Sequence, residues 1–201
     1  MEVAMFHSTD ADTSVYLPGC FEPTFNIPMN RVSGGFLRGE SLLSPAWFVD
    51  EVPWHELGYG PLIVPISLRD LMVGTANLSP YIERAAKCTL ALAYSATEDC
   101  QVFNQAFCAM RRYGYETALR RVNFSGAALD VVESANPDIV VVDWRDCVLR
   151  SGRIRPDVRR TISAWVDAGI NVVVEGLFST ETWAAAAQSG ANLLRLPWSM
   201  R

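Results

Sequence analysis

The chain is poor in histidine, in pairable cysteine and in surplus base. Only His7 and His55 occur among 201 residues, which argues against a zinc site built from Cys and His. The five cysteines (Cys20, Cys88, Cys100, Cys108 and Cys147) are odd in number and widely spaced, with no C-x-x-C. Reduced thiols are the expected state, not a disulfide framework. Lysine and arginine total 17 against 22 acids, for a net charge of -5. Such a chain has no global basic field, and no direct nucleic-acid partner is expected. No apolar run approaches the ~20 residues of a membrane span. The opening "MEVAMFHSTDADTS" lacks the basic flank and apolar core of a signal peptide. A soluble, cytoplasmic protein with no membrane partner is the expectation. There is no internal repeat, low-complexity tract or obvious linker, so residues 1–201 are read as a single domain.

Half of the residues are hydrophobic, enough for a full core at this length. The second half alternates cleanly. "YETALR" (115–120), "DIVVVD" (138–143), "NVVVE" (171–175) and "NLLRL" (192–196) read as strands. Helical spacing occupies 126–135, 155–169 and 179–190, and the last of these opens on a Ser179-x-x-Thr182 cap pattern. Strand, helix and strand in short succession predict a parallel sheet with right-handed crossovers. Upstream, 61–67 and 89–94 read as further strands, and 80–88 and 101–114 as helices. The first third is shortened and irregular, rich in Pro and Gly. It offers short strands near 20–26 and 31–38 and a helical turn near 45–51.

One residue stands out. Val172-Val173-Val174 run into Glu175, and Gly176 follows. The acid is either a strand-end carboxylate reaching solvent or an arginine, or a ligand or catalytic acid at the carboxyl end of a parallel sheet. The basic stretch "SGRIRPDVRR" (151–160) opens a helix and reads as a solvated face. "VSGGFLRGES" lacks the strand–turn–helix setting of a dinucleotide loop. The six tryptophans read as core or strand-end packing, some as partner anchors. No Ser/His, Cys/His or two-carboxylate arrangement emerges that would carry catalysis of another kind.

Several segments, in order, resemble the EAL domain of bacteria, a family that includes cyclic-di-GMP phosphodiesterases. "CFEPTFNIPMNRVSGGFLRG" is similar to its Tyr-Gln-Pro strand and Glu-Ala-Leu-Leu-Arg signature, and "IVPISLRDL" to its Val-Asn-Leu-Ser segment. "NPDIVVVDWRDCV" is similar to its Lys-Ile-Asp segment, and "GINVVVEGLFSTETWAAAAQSGANLLRLPW" to its closing stretch. The resemblance runs from about Cys20 to Trp198. It implies an α/β fold: an eroded or incomplete TIM-type (β/α) barrel with parallel strands, contracted in its first half.

The resemblance also implies a site of carboxylates and an Asn holding divalent metals, which activate water. On this sequence those positions fall at Gly34, Pro65, Ala91, Arg120-Arg121, Val141 and Phe178. Glu175, Asp143 and Arg38 keep the family's residue type. The expectation is therefore a chain without metal or other cofactor and without catalytic residues. It would act as a non-catalytic regulator by binding a protein, such as a transcription regulator or a motility or biofilm component. The alternative is a metal-free receptor for cyclic-di-GMP or another phosphate ligand, with Arg38, Arg120, Arg121 and Glu175 at the site, although Glu22 places an anion nearby. The partner-binding candidates are Trp47, Phe48, Val49 and Trp54 in "AWFVDEVPW"; this stretch could equally fold back as a lid. A homodimer stays open. Glu175 is expected to pair with Arg120 or Arg121, a guanidinium taking the place of a metal ion.

Overall fold

The computed structural model describes residues 21–37, 62–72 and 88–195. Eight strands close into a barrel in chain order: β1 (Phe21–Asn26), β2 (Arg31–Leu37), β3 (Leu62–Pro65), β4 (Cys88–Ala93), β5 (Glu116–Arg120), β6 (Ile139–Asp143), β7 (Asn171–Glu175) and β8 (Leu193–Arg195). The strands from β2 to β8 are parallel to their neighbours. The expectation of parallel strands needs one correction: β1 runs antiparallel to both β2 and β8. The reason is local. Only residues 27–30 separate β1 from β2, and the Asn26 side chain accepts a hydrogen bond from Met29 N at 2.9 Å within that turn. A connection this short can join only antiparallel strands.

Six helices are present among the described residues: α1 (Leu68–Met72), α2 (Cys100–Arg112), α3 (Gly126–Ala135), α4 (Trp144–Cys147), α5 (Pro156–Asp167) and α6 (Thr180–Ala186). The strand ring is closed, and three of the described helices have seven residues or fewer. The expected helix over 80–88 lies outside the described residues except for Cys88, which begins β4. The expected turn at 45–51 lies outside them entirely. Neither α1 nor α4 is foreseen by the helical spacing, because each is only about one turn long.

Local chemistry sets the longer helices. Asp99 caps α2 by accepting from Gln101 N, and Arg111 and Arg112 close its last turn, where cations suit the helix dipole. Its buried residues Phe103, Ala106, Phe107 and Met110 recur at i, i+3, i+4 and i+7. Ser125 caps α3, which stops at Asn136 in the left-handed conformation. The Arg111 side chain then donates to Ala135 O at 3.1 Å, to Thr117 Oγ1 at 3.1 Å and to Asn136 O. One guanidinium thus satisfies the carbonyl end of α3 and ties both helices to β5. Pro156 starts α5 at a position where a missing N–H costs nothing. Ser179 and Thr182 form a reciprocal capping box on α6, as their spacing predicts.

The sheet separates two apolar layers. Phe36, Ile63, Ala91, Ala118, Ile139, Val141, Val173 and Leu193 fill the barrel interior. The alternate residues, such as Leu90, Leu119, Val140, Val142, Val172 and Val174, pack outward against the helices. Both layers are buried, which explains why β6 and β7 read as unbroken apolar runs. Trp144 and Trp165 are buried and Trp183 is partly buried, its ring edge-on to Phe25 at 5.5 Å. These three therefore serve as packing residues.

Phe107 is fully buried on α2, so Phe107→Ala should lower unfolding free energy by about 3–5 kcal/mol in urea denaturation. A loss under about 1 kcal/mol would mean that α2 does not seal the outer layer.

Candidate functional site

The parallel strands all end at one face of the barrel. Strand parity directs the last inward residue of each toward that mouth: Phe36 on β2, Pro65 on β3, Ala93 on β4, Arg120 on β5, Asp143 on β6, Glu175 on β7 and Arg195 on β8. Because β1 runs in reverse, its beginning lies at the same face, with Glu22 opposite Phe36 and Thr24 opposite Arg195.

Arg195 is the centre of this arrangement. Its Nε donates to Glu22 and its Nη1 donates to Glu175. The three side chains are 13%, 6% and 15% exposed in the order Arg195, Glu22, Glu175. The guanidinium carbon also stands 4.5 Å from the centroid of the Phe36 ring, and that of Arg120 stands 5.7 Å from it. A buried aromatic ring within reach of two cations attracts both electrostatically.

Glu175 does ion-pair with an arginine, but not with Arg120 or Arg121. The expected partner is corrected to Arg195: β8 is the direct neighbour of β7, and the Arg120 guanidinium lies against the Phe36 ring instead. Arg120 reaches the interior beside Phe36, while Arg121 is exposed and takes a positive φ of 60°. Arg38, Trp47, Phe48, Val49 and Trp54 lie outside the described residues. Arg195 is not among the residues expected at the site, because "NLLRL" carries only the pattern of a strand. Its parity with the inward Leu193 is the signal that could have found it.

Asp143 is the cross-strand neighbour of Glu175. Its side chain caps α4 by accepting from Arg145 N at 2.8 Å, and it accepts from the Arg145 guanidinium at 2.6 Å. That side-chain hydrogen bond is the main reason its carboxyl lies below the ordinary range; partial burial opposes it. Gly176 follows with φ +78°, and a Cβ there would lie 3.0 Å from Asp143 Oδ1. Both the left-handed backbone and the close carboxylate require glycine at this position. Behind the site, burial pushes the Cys147 thiol up to about 12, so it stays protonated and unreactive. In the loop leaving β7, Phe178 is 77% exposed.

Among the described residues, no three His, Cys, Asp or Glu side chains are grouped to hold a metal ion. No helix among them is long and apolar enough to cross a membrane.

Solved structures share this fold. The EAL enzyme Bd1971 in its cGMP-bound form superposes with a TM-score of 0.66 at 15% identity, covering 87% of this chain and 59% of that one. BlrP1 of Klebsiella pneumoniae, in a manganese and cyclic-di-GMP complex, gives 0.65 at 18% identity, covering 89% of this chain and 55% of that one. A standalone EAL protein from Vibrio cholerae O395, bound to cyclic-di-GMP, gives 0.62 at 16% identity, covering 87% of each chain. The chain therefore spans less than two thirds of the first two and most of the third. No protein-family model matches the chain, and no curated protein matches it. What these likenesses establish is a barrel of the kind found in EAL domains.

Arg195→Gln should cost about 3–5 kcal/mol in chemical denaturation, because two acids stay buried without their cation. A cycle with Glu175→Gln should show coupling, and additive losses would place no net interaction at the pair. For Asp143, the lowered folded value means its stabilisation is full above the unfolded value of about 3.9 and is lost as pH falls through the folded one. Arg145→Ala should raise the Asp143 value toward normal in an NMR carboxyl titration. An unchanged titration would remove Arg145 as the cause.

Proposed function

We propose that this chain is a non-catalytic EAL-like regulatory protein that acts by binding another protein. One observation carries the reading: Glu175, the acid retained at the end of β7, is held by Arg195 of the same chain. A carboxylate already neutralised by a buried guanidinium is a poor ligand for a divalent cation, and the fixed positive charge repels the ion. The residues around it do not compensate. Positions that the resemblance assigns to metal ligands hold Gly34 and Pro65, the interior residues Ala91 and Val141, the arginines 120 and 121, and the exposed Phe178. These side chains do not fit a two-metal phosphodiesterase, and no hydrolytic step is derived for them.

The alternative is a metal-free receptor for cyclic-di-GMP or another phosphate ligand. It is favoured by the cations at the mouth: Arg120 and Arg195 beside Phe36, with Arg145 80% exposed on the rim. Guanidinium groups bind phosphate oxygens in bidentate geometry without a metal. Cyclic-di-GMP is bound by the Klebsiella and Vibrio proteins of the same fold, and it is the ligand to test first.

Purified chain incubated with cyclic-di-GMP and Mg2+ or Mn2+ should release no linear product above a heat-killed control. Product above that level would overturn the non-catalytic reading. Calorimetric titration then separates the two readings. No heat is expected for the protein-binding regulator, and saturable heat lost in Arg120→Ala would establish the receptor.

A further inference from the structure

We propose that a groove on the outer wall of the barrel, between the α4–α5 connection and α6, binds an acidic peptide segment of a protein partner. The groove has a volume of about 470 Å3 and is lined by Gly152, Arg153, Ile154, Pro156, Arg159, Ala185 and Gln188. None of these residues belongs to the mouth. The proposal shares with the functional reading only the premise that the partner is a protein.

Charge selects the occupant. Residues 150–160 carry five arginines and one acid, Asp157, in a chain whose net charge is -5. Asp157 is taken by Arg155, at 2.6 Å. Among the described residues, Arg150, Arg153, Arg159 and Arg160 have no ion-pair partner, and all four are exposed. Unpaired arginines around a concavity suit carboxylates, which accept from the guanidinium fork in bidentate fashion.

The presenting loop is rigid. Val148 and Ile154 form an antiparallel bridge, Leu149 N donates to Arg153 O at 2.8 Å, and Gly152 N donates to Leu149 O at 2.9 Å. Arg155 N closes the base by donating to Cys147 O at 2.9 Å. Arg150 and Arg153 therefore stand on a hydrogen-bonded hairpin, and Arg159 and Arg160 on α5, which lowers the ordering cost of binding. Its exposed Leu149, 49% accessible, adds an apolar contact beside them.

The groove is also one-sided. The α6 wall contributes Ala185 and Gln188, and residues 179–190 contain no base. Ile154, Pro156 and Ala185 supply apolar lining. Arg153 and Arg159 interleaved with Ile154 and Pro156, facing Ala185 across the groove, match an extended segment that alternates acidic and apolar side chains. A nucleic acid, charged along its whole backbone, would need base on both walls and would be repelled by the acidic remainder of the chain.

The probe is a short fluorescein-labelled peptide in which glutamates alternate with leucines, followed by fluorescence anisotropy against the intact chain. Saturable binding is expected, and Arg153→Glu with Arg159→Glu should weaken it by about tenfold or more. Arg112→Glu, an exposed reversal on α2, should leave it unchanged. Circular dichroism melts confirm that each variant folds; should the double reversal not fold, Arg153→Gln and Arg159→Gln singly carry the same comparison. No saturable binding, or equal weakening by Arg112→Glu, would overturn the proposal. Tighter binding of a single-stranded oligonucleotide would overturn it in favour of nucleic acid. Because these substitutions leave the mouth intact, failure here leaves the cyclic-di-GMP assays and the non-catalytic reading standing.

Discussion

Arg195 sits between two buried carboxylates at the seam where the barrel closes. The seam is short: β8 has three residues, and it meets the reversed strand β1 over three register pairs. Side chains add to the backbone pairing there. Arg195 does this by reaching Glu22 on one neighbour and Glu175 on the other. Taking three charges out of water is costly, and such clusters persist only when hydrogen bonding is thorough. The Phe36 face beneath the guanidinium removes solvent and contributes an attraction of its own.

The rest of the mouth follows from that cation. With one positive charge centred between β1 and β7, Asp143 is left to an outer partner, and Arg145 supplies it from the first turn of α4. Below this layer the interior turns apolar. Phe36 packs there in one cluster with the small Ala91 and Ala118 and the branched Val141, Val173 and Leu193. Large and small residues across a barrel interior interdigitate in layers, which is how a closed sheet avoids a central void.

Much of this was legible in the sequence, and the reasons differ by element. The strands β6 and β7 announced themselves as β-branched runs between capped helices, and both α3 and β7 fall at the expected residues. The strands ending in Asp143 and Glu175 are adjacent, parallel and in register, in keeping with the expected parallel sheet. The direction of β1 was recoverable from its four-residue connection but was masked by the regular α/β rhythm downstream. Arg195 was harder. A single base in a five-residue apolar stretch carries no periodic signal, and its meaning depends on which strands are neighbours. Pairing Glu175 with Arg120 or Arg121 followed from the metal-site geometry that the resemblance implies, whereas here Glu175 meets Arg195 of the adjacent β8 and Arg120 lies against Phe36.

The tether of the cation has a further consequence. A metal ion bound at a barrel mouth exchanges with the medium, and its occupancy tracks supply, competing chelators and acidity. A guanidinium can neither leave nor lose its proton at any physiological pH. The charge between Glu22 and Glu175 is therefore written into the polypeptide and arrives with folding. Starvation for divalent ions, which would empty an exchangeable site, leaves this one as it was made.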